Sequence, residues 1–338
     1  MSNFHRKCVC PAGEPHSPVL YPGSGVCRLP IDVVRASRGK IRPGVDVAIY
    51  NPPFYTAPHI MGRGREGLGR PVWADPPTHD EGDGSESIVE DHDEVGRAIA
   101  RGSWMGDYKM VRTRVEYRGL EDGEPGGAVY LAVPANPIGA TGIAGRGLLG
   151  RWGPNHAADP LVTRWKPDAP ADSAGRRVLQ VLTVTRGGES GTGEQALPGG
   201  MKDAYEPVTA TVKREFCEEA LAKYYKSEAL EGRGADADKA AKVREDVERL
   251  FTVDDVDTDE RVIYKGYVDD PRNTDNAWME TVCFHFHDED GTGVSKFEFD
   301  AGSDATAVQW TDVSRDMQLY ASHRDFVRLA AERVGAHW

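Results

Sequence analysis

Residues Gly200 to Ala222 read GMKDAYEPVTATVKREFCEEALA, and this stretch decides the fold. Gly200, Glu206, Arg214, Glu215, Glu218 and Glu219 stand at the spacing G-x5-E-x7-R-E-x2-E-E, directly after a Leu197-Pro198-Gly199-Gly200 turn. On a helix Glu215, Glu218 and Glu219 fall at i, i+3 and i+4, so the three carboxylates share one face. Like charges at these spacings cost about a few tenths of a kcal/mol per pair unless a cation neutralises them. Hard oxygen ligands of this kind suit Mg2+ or Mn2+. Val208, Val212 and Phe216 form the apolar row that would dock the helix on a sheet, while Arg214 reaches Glu218 at i+4. The plain alternative is a solvated acidic helix, which one Glu pair would leave favoured; six spaced positions point to a metal site instead.

The rest of the composition bounds what such a site can serve. With 338 residues, length favours two domains, and 39% apolar with 28% charged residues describes an ordinary soluble protein. A formal net charge of −13 argues against nucleic acid or an anionic membrane as the main partner, because both require a basic footprint. A small anionic substrate would arrive with bound metal or be met by local arginines. No apolar run approaches the roughly 18 to 20 residues that span a bilayer. The five cysteines (Cys8, Cys10, Cys27, Cys217, Cys283) are odd in number and scattered, which fits a reducing compartment, and a lone Cys8-x-Cys10 makes a poor zinc site. MSNFHRKCVCPAGEP lacks the apolar core of a secretory signal and is short of a convincing transit peptide, so the expected location is cytoplasmic.

Along the chain, Met1 to about Ala74 is rich in Gly, Pro and aromatic residues and reads as short strands and ordered loops. Asp75 to Glu94 is strongly acidic, the composition of a solvated loop. Ala128 to Val133 is a strand, followed by a Gly-rich, Trp-containing segment up to Trp165 that reads as the seam between two domains, 1–165 and 166–338. Val178 to Thr185 is a buried strand, Pro207 to about Lys226 the acidic helix and Asp236 to Leu250 a second helix. Val262 to Val268, Trp278 to His287 and Ala307 to Val313 are further strands, and His323 to Val334 is a closing amphipathic helix. Strands flanked by helices on this pattern predict a mixed α/β sheet covered on both faces. Gly145-Arg146-Gly147-Leu148-Leu149-Gly150 spells the dinucleotide-binding G-x-G-x-x-G, but it runs straight into Trp152-Gly153-Pro154, which leaves no helix to receive a pyrophosphate. We read it as a glycine-rich connector.

The box, taken with Asn136 to Trp165 (NPIGATGIAGRGLLGRWGPNHAADPLVTRW), Tyr264 to Thr281 (YKGYVDDPRNTDNAWMET) and the ending LYASHRDFVRLAAERVGAHW, resembles one subfamily of Nudix hydrolases. It is similar to the ADP-ribose pyrophosphatase of animal mitochondria and to the homologous C-terminal domain of the ADP-ribose-gated melastatin-type cation channel. The match runs from about Tyr21 to Trp338, with the first 20 or so residues and the stretch around Met61 to Gly123 divergent. The resemblance implies a Nudix α/β/α sandwich with a mixed sheet, preceded by a smaller strand- and loop-rich N-terminal domain that contributes to the substrate cleft. It further implies ADP-ribose as substrate, AMP and ribose 5-phosphate as products, and Mg2+ (or Mn2+) as cofactor. Glu215, Glu218 and Glu219 are the expected metal ligands, one of them in a position to orient water, and Arg214 is expected to orient a glutamate rather than to touch substrate. Asp270 and Arg272, in a turn fixed by Pro271, offer a planar fork for phosphate, against the plain reading of a surface turn with an internal ion pair. Asn136 and Trp165 match positions that line the nucleotide cleft in the family, and Leu197 at the head of the Gly-Gly turn is counted with them. Trp152, Trp278 and Trp310 are expected in the core. Asp304 occupies the kind of loop from which Nudix enzymes recruit a base, and His156, His323 and His337 are more ordinary as structural hydrogen-bonding residues.

Two departures from the pattern are visible. Leu221 stands where the general box has Gly, as is typical of the subfamily, and Ala204-Tyr205 replaces the Pro-Gly that the relatives carry before the first glutamate. Two roles follow from the resemblance: an enzyme that clears free ADP-ribose, or an ADP-ribose-sensing domain of a tetrameric cation channel. Asn51 to Ala57 (NPPFYTA) looks closer to the channel domain, whereas the complete acidic box looks like the enzyme. The corresponding locations are cytoplasmic, mitochondrial, or the cytosolic face of a channel.

Overall fold

In the computed structural model, residues 20–22, 24–27, 51–60, 71, 74–75, 102–117, 127–187, 193–203, 205–225, 237–252, 255–301 and 305–338 are described. Their strands are β1 (Phe54–Thr56), β2 (Met110–Tyr117), β3 (Gly127–Pro134), β4 (Ala144–Gly147), β5 (Gly153–Trp165), β6 (Leu179–Arg186), β7 (Gln195–Ala196) and β8 (Gly200–Met201), then β9 (Val262–Tyr267), β10 (Ala277–Asp288) and β11 (Ala305–Asp312). The helices are α1 (Val208–Ala220), the single turn α2 (Ala222–Tyr225), α3 (Ala237–Phe251) and α4 (His323–Val334).

Two compact units arise, residues 1–155 with 266–280, and residues 156–265 with 281–338. They differ from a single cut after Trp165 because β5 and β10 are long strands that run through both. The expected seam is in fact β5, a thirteen-residue strand in the middle of the main sheet, and most of it is buried. Its Pro154 and Pro160 disguised it as loop. Pro160 is tolerated because β8 pairs with Ala157 and Ala158 and β6 with Thr163 to Trp165, so the residue without an N–H falls between two ladders.

The main sheet has the order β11-β6-β5-β10-β9, with β7 on β6 and β8 on β5. β6 is antiparallel to β5 and to β11. β5 and β10 run parallel: Asp159 meets Thr281 and Thr163 meets His285, partners that advance together along both strands. The sheet is therefore mixed. Alternation on β10 puts Phe284 and Phe286 on one face and Cys283, His285 and His287 on the other. On the phenylalanine face Phe251 of α3 lies 4.3 Å from Phe286 and 4.4 Å from Phe216 of α1, all well buried. On the histidine face the start of α4 comes down, with His323 3.6 Å from Asp159. Helices thus cover both faces, and burying Phe216 and Phe251 contributes on the order of 2–3 kcal/mol per ring.

The acidic helix is shorter than its periodicity suggested. It ends at Ala220 because Leu221 leaves helical geometry, at φ −128° and ψ 26°, and bridges to Asp300, whose N–H donates to the Ala220 carbonyl. Its buried row is Val212, Phe216 and Ala220, with Val208 only half-buried.

In the first unit β1 pairs in parallel with β4, and β2 with β3 as an antiparallel hairpin. The G-x-G-x-x-G run supplies β4 and a turn, with no helix after it. Gly145 has φ +93°, and a Cβ there would stand 3.0 Å from the Tyr55 carbonyl carbon, so this glycine serves the approach of two strands rather than of a phosphate. Arg146 is fully buried, donating to the carbonyls of Asp75 and Gly150. Trp152 and Trp278 are core residues as expected, while Trp310 is half-buried beneath the Arg164 guanidinium, 4.3 Å from its ring centre.

Candidate active site

The turn from Leu197 to Gly200 brings β8 against β5 and aims the chain at α1. Gly200 leaves the space that Glu215 fills, since a Cβ at Gly200 would lie 2.5 Å from its carboxylate carbon and both oxygens. The Gly199 N–H donates to Glu219 Oε2 at 3.0 Å. The spacing of the two glycines from the glutamates is therefore a packing requirement as well as a motif.

Arg214 ties the acidic residues together. Its Nε and one terminal nitrogen hold Glu206 at 2.9 and 3.0 Å, the other donates to Glu215 at 2.8 Å and Glu218 at 3.1 Å, and the Met201 carbonyl accepts a further bond. Burial opposes the charge on Glu206, yet bonds from Arg214, Thr211 and the Asp203 N–H outweigh it and hold that carboxyl below its ordinary range. Glu215 and Glu219 go the other way. Burial, only partly offset by Arg214 and by the Gly199 N–H respectively, pushes Glu215 up to about 7 and Glu219 up to about 8. Their mutual repulsion and the nearby Asp159 charge add to the shift of Glu219. Glu218 is exposed.

Among the described residues no three acidic or imidazole groups already form a closed cage for a metal. The donor set nevertheless fits one. Three carboxylate side chains lie within one helical turn, and for two of them burial is only partly offset by Arg214 and the Gly199 N–H, which is an environment a hard divalent cation relieves.

A pH dependence follows for the metal-free protein. Because the folded pKa values lie above the ordinary value of 4.5, the folded state binds more protons than the unfolded one between about 4.5 and 8, and stability falls as pH rises through that window. The expected loss is at most on the order of several kcal/mol, at about 1.4 kcal/mol per pKa unit over the two shifts. It is read as a Tm that declines from pH 5 to pH 8 in chelator and is restored by saturating Mg2+; a flat Tm would show that the two carboxylates are not in this environment.

The other expected site residues divide between the units. Leu197 is buried, and its N–H donates to His323 Nδ1 at 3.0 Å. Trp165 is half-buried at the end of β5, its Nε1 donating to Glu289 at 2.8 Å and its ring carrying the Arg177 guanidinium at 4.3 Å. In the first unit, Asn136 is buried and donates to the Thr274 carbonyl at 3.0 Å and to the Tyr267 hydroxyl at 3.3 Å. Arg272 folds back on Asp270 in a bidentate pair with both bonds at 2.8 Å, so the internal ion pair exists, whatever else the fork binds. Asp304 lies outside the described residues.

Asp159 escaped the sequence reading. It is buried on β5, accepts the Thr281 hydroxyl at 2.6 Å and stands 3.6 Å from His323 Nε2. Between Ala158 and Pro160 it has the look of a loop residue, and nothing local signals that β5 carries it to the box.

A mixed sheet faced on both sides by helices, with an Arg-clamped row of glutamates following a Gly-Gly turn, defines a protein of the Nudix type. Comparison with known proteins narrows this. A family model described as "NUDT9-like, N-terminal domain" matches residues 38–153. A rat protein named "ADP-ribose pyrophosphatase, mitochondrial" is 40% identical over 323 residues, covering 94% of this chain and 77% of the relative. "Putative nudix hydrolase 6" of Caenorhabditis elegans is 37% identical over 335 residues, covering 98% of each. "Transient receptor potential cation channel subfamily M member-like 2" of Nematostella vectensis is 38% identical over 285 residues, which is 84% of this chain but 16% of the channel. The chain belongs to the Nudix family, in the branch that contains the animal ADP-ribose pyrophosphatase.

Proposed function

We propose that the chain hydrolyses ADP-ribose to AMP and ribose 5-phosphate with a divalent cation, Mg2+ or alternatively Mn2+. The observation that carries this reading is the carboxylate row on α1, anchored by Arg214 at one end and by the Gly199 N–H at the other. Glu215, Glu218 and Glu219 would hold the cation, which when bound polarises phosphate oxygens and neutralises charge developing on them. Arg214 fixes the rotamers of Glu215 and Glu218 so that little reorganisation is needed on binding. Asn136, Trp165, Leu197, Asp270 and Arg272 are assigned to the substrate, and residues 166–338 to the chemistry. The name of the rat relative and the share of it that this chain covers support the same substrate.

The resemblance to the Nematostella channel supports a second reading, an ADP-ribose-sensing domain of a channel, for which the proposed location is the cytosolic face of a membrane. No helix among the described residues is long and apolar enough to cross a membrane. For a free enzyme the proposed location is cytoplasmic or mitochondrial.

Product formation separates the two. With Mg2+ present the chain should release AMP and ribose 5-phosphate over time, with far less activity on nucleoside triphosphates. Tight calorimetric binding of ADP-ribose without metal-dependent AMP release would overturn the enzyme and leave the sensor.

Arg272→Ala should raise KM for ADP-ribose roughly tenfold while lowering kcat less, because a charged fork contributes to holding phosphate rather than to the chemistry. Arg272→Lys should recover part of the loss. Since the substitution also removes the guanidinium that pairs with the buried Asp270, Tm should fall. A lower Tm with KM unchanged in both variants assigns Arg272 to the ion pair alone.

A further inference from the structure

Arg186 closes β6, and its guanidinium lies over the Tyr320 ring, 4.4 Å from the ring centre. It is half-buried, yet among the described residues no carboxylate, hydroxyl or carbonyl accepts a bond from that guanidinium. The other half-buried arginines described in the second unit, Arg164, Arg214, Arg244, Arg261 and Arg328, each donate to a side chain or a carbonyl. A partly desolvated charge is ordinarily paired. Stacking explains how this one is held without a pair: the flat face rests on the phenol ring and leaves the N–H groups at the rim for a ligand.

Its position ties it to the carboxylate row. The Arg186 N–H donates to the Glu194 carbonyl at 3.0 Å, Val184 pairs with Ala196, and Leu197 then opens the turn whose Gly199 N–H holds Glu219. Tyr320 is fastened to the same hairpin by its N–H, 2.9 Å from the Gln195 carbonyl. Its ring stands 6.0 Å from that of His323, which in turn lies 3.6 Å from Asp159. Burial is the main influence raising the Glu219 carboxyl, and the Gly199 N–H and the Arg186 charge oppose it, so the guanidinium is within electrostatic reach of the row. Three ionised carboxylates outweigh one divalent cation, and Arg214 is already engaged by Glu206, Glu215 and Glu218. A diphosphate brought to this row therefore requires a further positive group. Resting on the diphosphate-hydrolase reading above, we infer that Arg186 is a substrate-binding residue whose guanidinium fork holds non-bridging oxygens of the diphosphate beside the cation.

The test compares wild type with Arg186→Ala and Arg186→Lys in the full chain. It reads Tm without ligand, kcat/KM for ADP-ribose, and the Mg2+ concentration that gives half-maximal activity. Arg186→Ala should lower kcat/KM roughly ten- to a hundredfold, the size of a lost charge-assisted hydrogen bond. Arg186→Lys keeps the charge without the fork and should recover part of the loss. Tm should stay within about 3 °C of wild type in both, because stacking is lost but no ion pair is broken. The half-maximal Mg2+ concentration should not rise, since a positive charge near the row has been removed, whereas a residue that merely arranged the carboxylates would raise it. A kcat/KM within threefold of wild type in Arg186→Ala, or a loss that extra Mg2+ reverses, would overturn the inference and leave the hydrolase reading intact. So would a Tm lowered well beyond 3 °C in both variants, which assigns Arg186 to packing on Tyr320. Wild type that does not hydrolyse ADP-ribose would overturn the reading on which the inference rests.

Discussion

Glu219→Gln lowers ADP-ribose turnover by roughly a hundredfold or more while the fold is retained, because the substitution removes one negative charge from the row that would hold the cation or orient water. Gln keeps an oxygen to accept the Gly199 N–H, so the turn preceding α1 has no reason to move. Two readouts are linked here. Turnover with Mg2+ should collapse, whereas the Tm of the metal-free protein near pH 8 should rise, since the half-buried charge that opposes folding at that pH is gone. Glu215→Gln and Glu218→Gln are expected to lower turnover to a similar degree, but only the buried Glu215 should share the stability gain, because Glu218 is already solvated. Intact Mg2+-dependent hydrolysis in a Glu218→Gln/Glu219→Gln double variant would remove the row from the chemistry.

Gly199→Ala should destabilise the protein by about 2 kcal/mol or more and depress activity as well. An added Cβ would stand 2.9 Å from the Ala158 carbonyl oxygen and 3.2 Å from the Asp159 Cα, and closer still to the Asp159 carboxylate. Backbone on a central strand cannot yield cheaply, so the turn must shift. Any shift draws the Gly199 N–H away from Glu219, which couples the stability loss to the site. Thermal or denaturant unfolding, read beside kcat, checks both halves. A Tm within a degree of wild type would mean that the turn is not seated against β5 as described.

The Gly-to-Glu spacing of the box, the apolar positions of α1 and the alternation of Val282, Phe284 and Phe286 were legible in the linear sequence because they depend on local periodicity. Strand β10 and helix α4 were readable for the same reason: a period of two or of 3.6 needs no partner to be seen. Strand β5 was not. Pro154, Pro160 and Asp159 break its alternation, and only the neighbouring ladders of β6 and β8 explain why a chain with those residues still extends. The end of α1 was hidden likewise, since Leu221 leaves the helix for a bridge with Asp300, about eighty positions away.

The same division runs through the site. Sequence alone determined which carboxylates stand on one helical face, and hence the kind of cation and anionic substrate that they suit. Tertiary structure decided their different environments: α1 turns Glu215 and Glu219 toward the sheet, where burial pushes both carboxyls up, and Glu218 toward water. It also decided that Asp159 joins them, that Arg272 is paired with Asp270, and that Tyr205 keeps a left-handed backbone suited to glycine. Burial and hydrogen-bond partners are set by segments distant in sequence, and no local pattern encodes them.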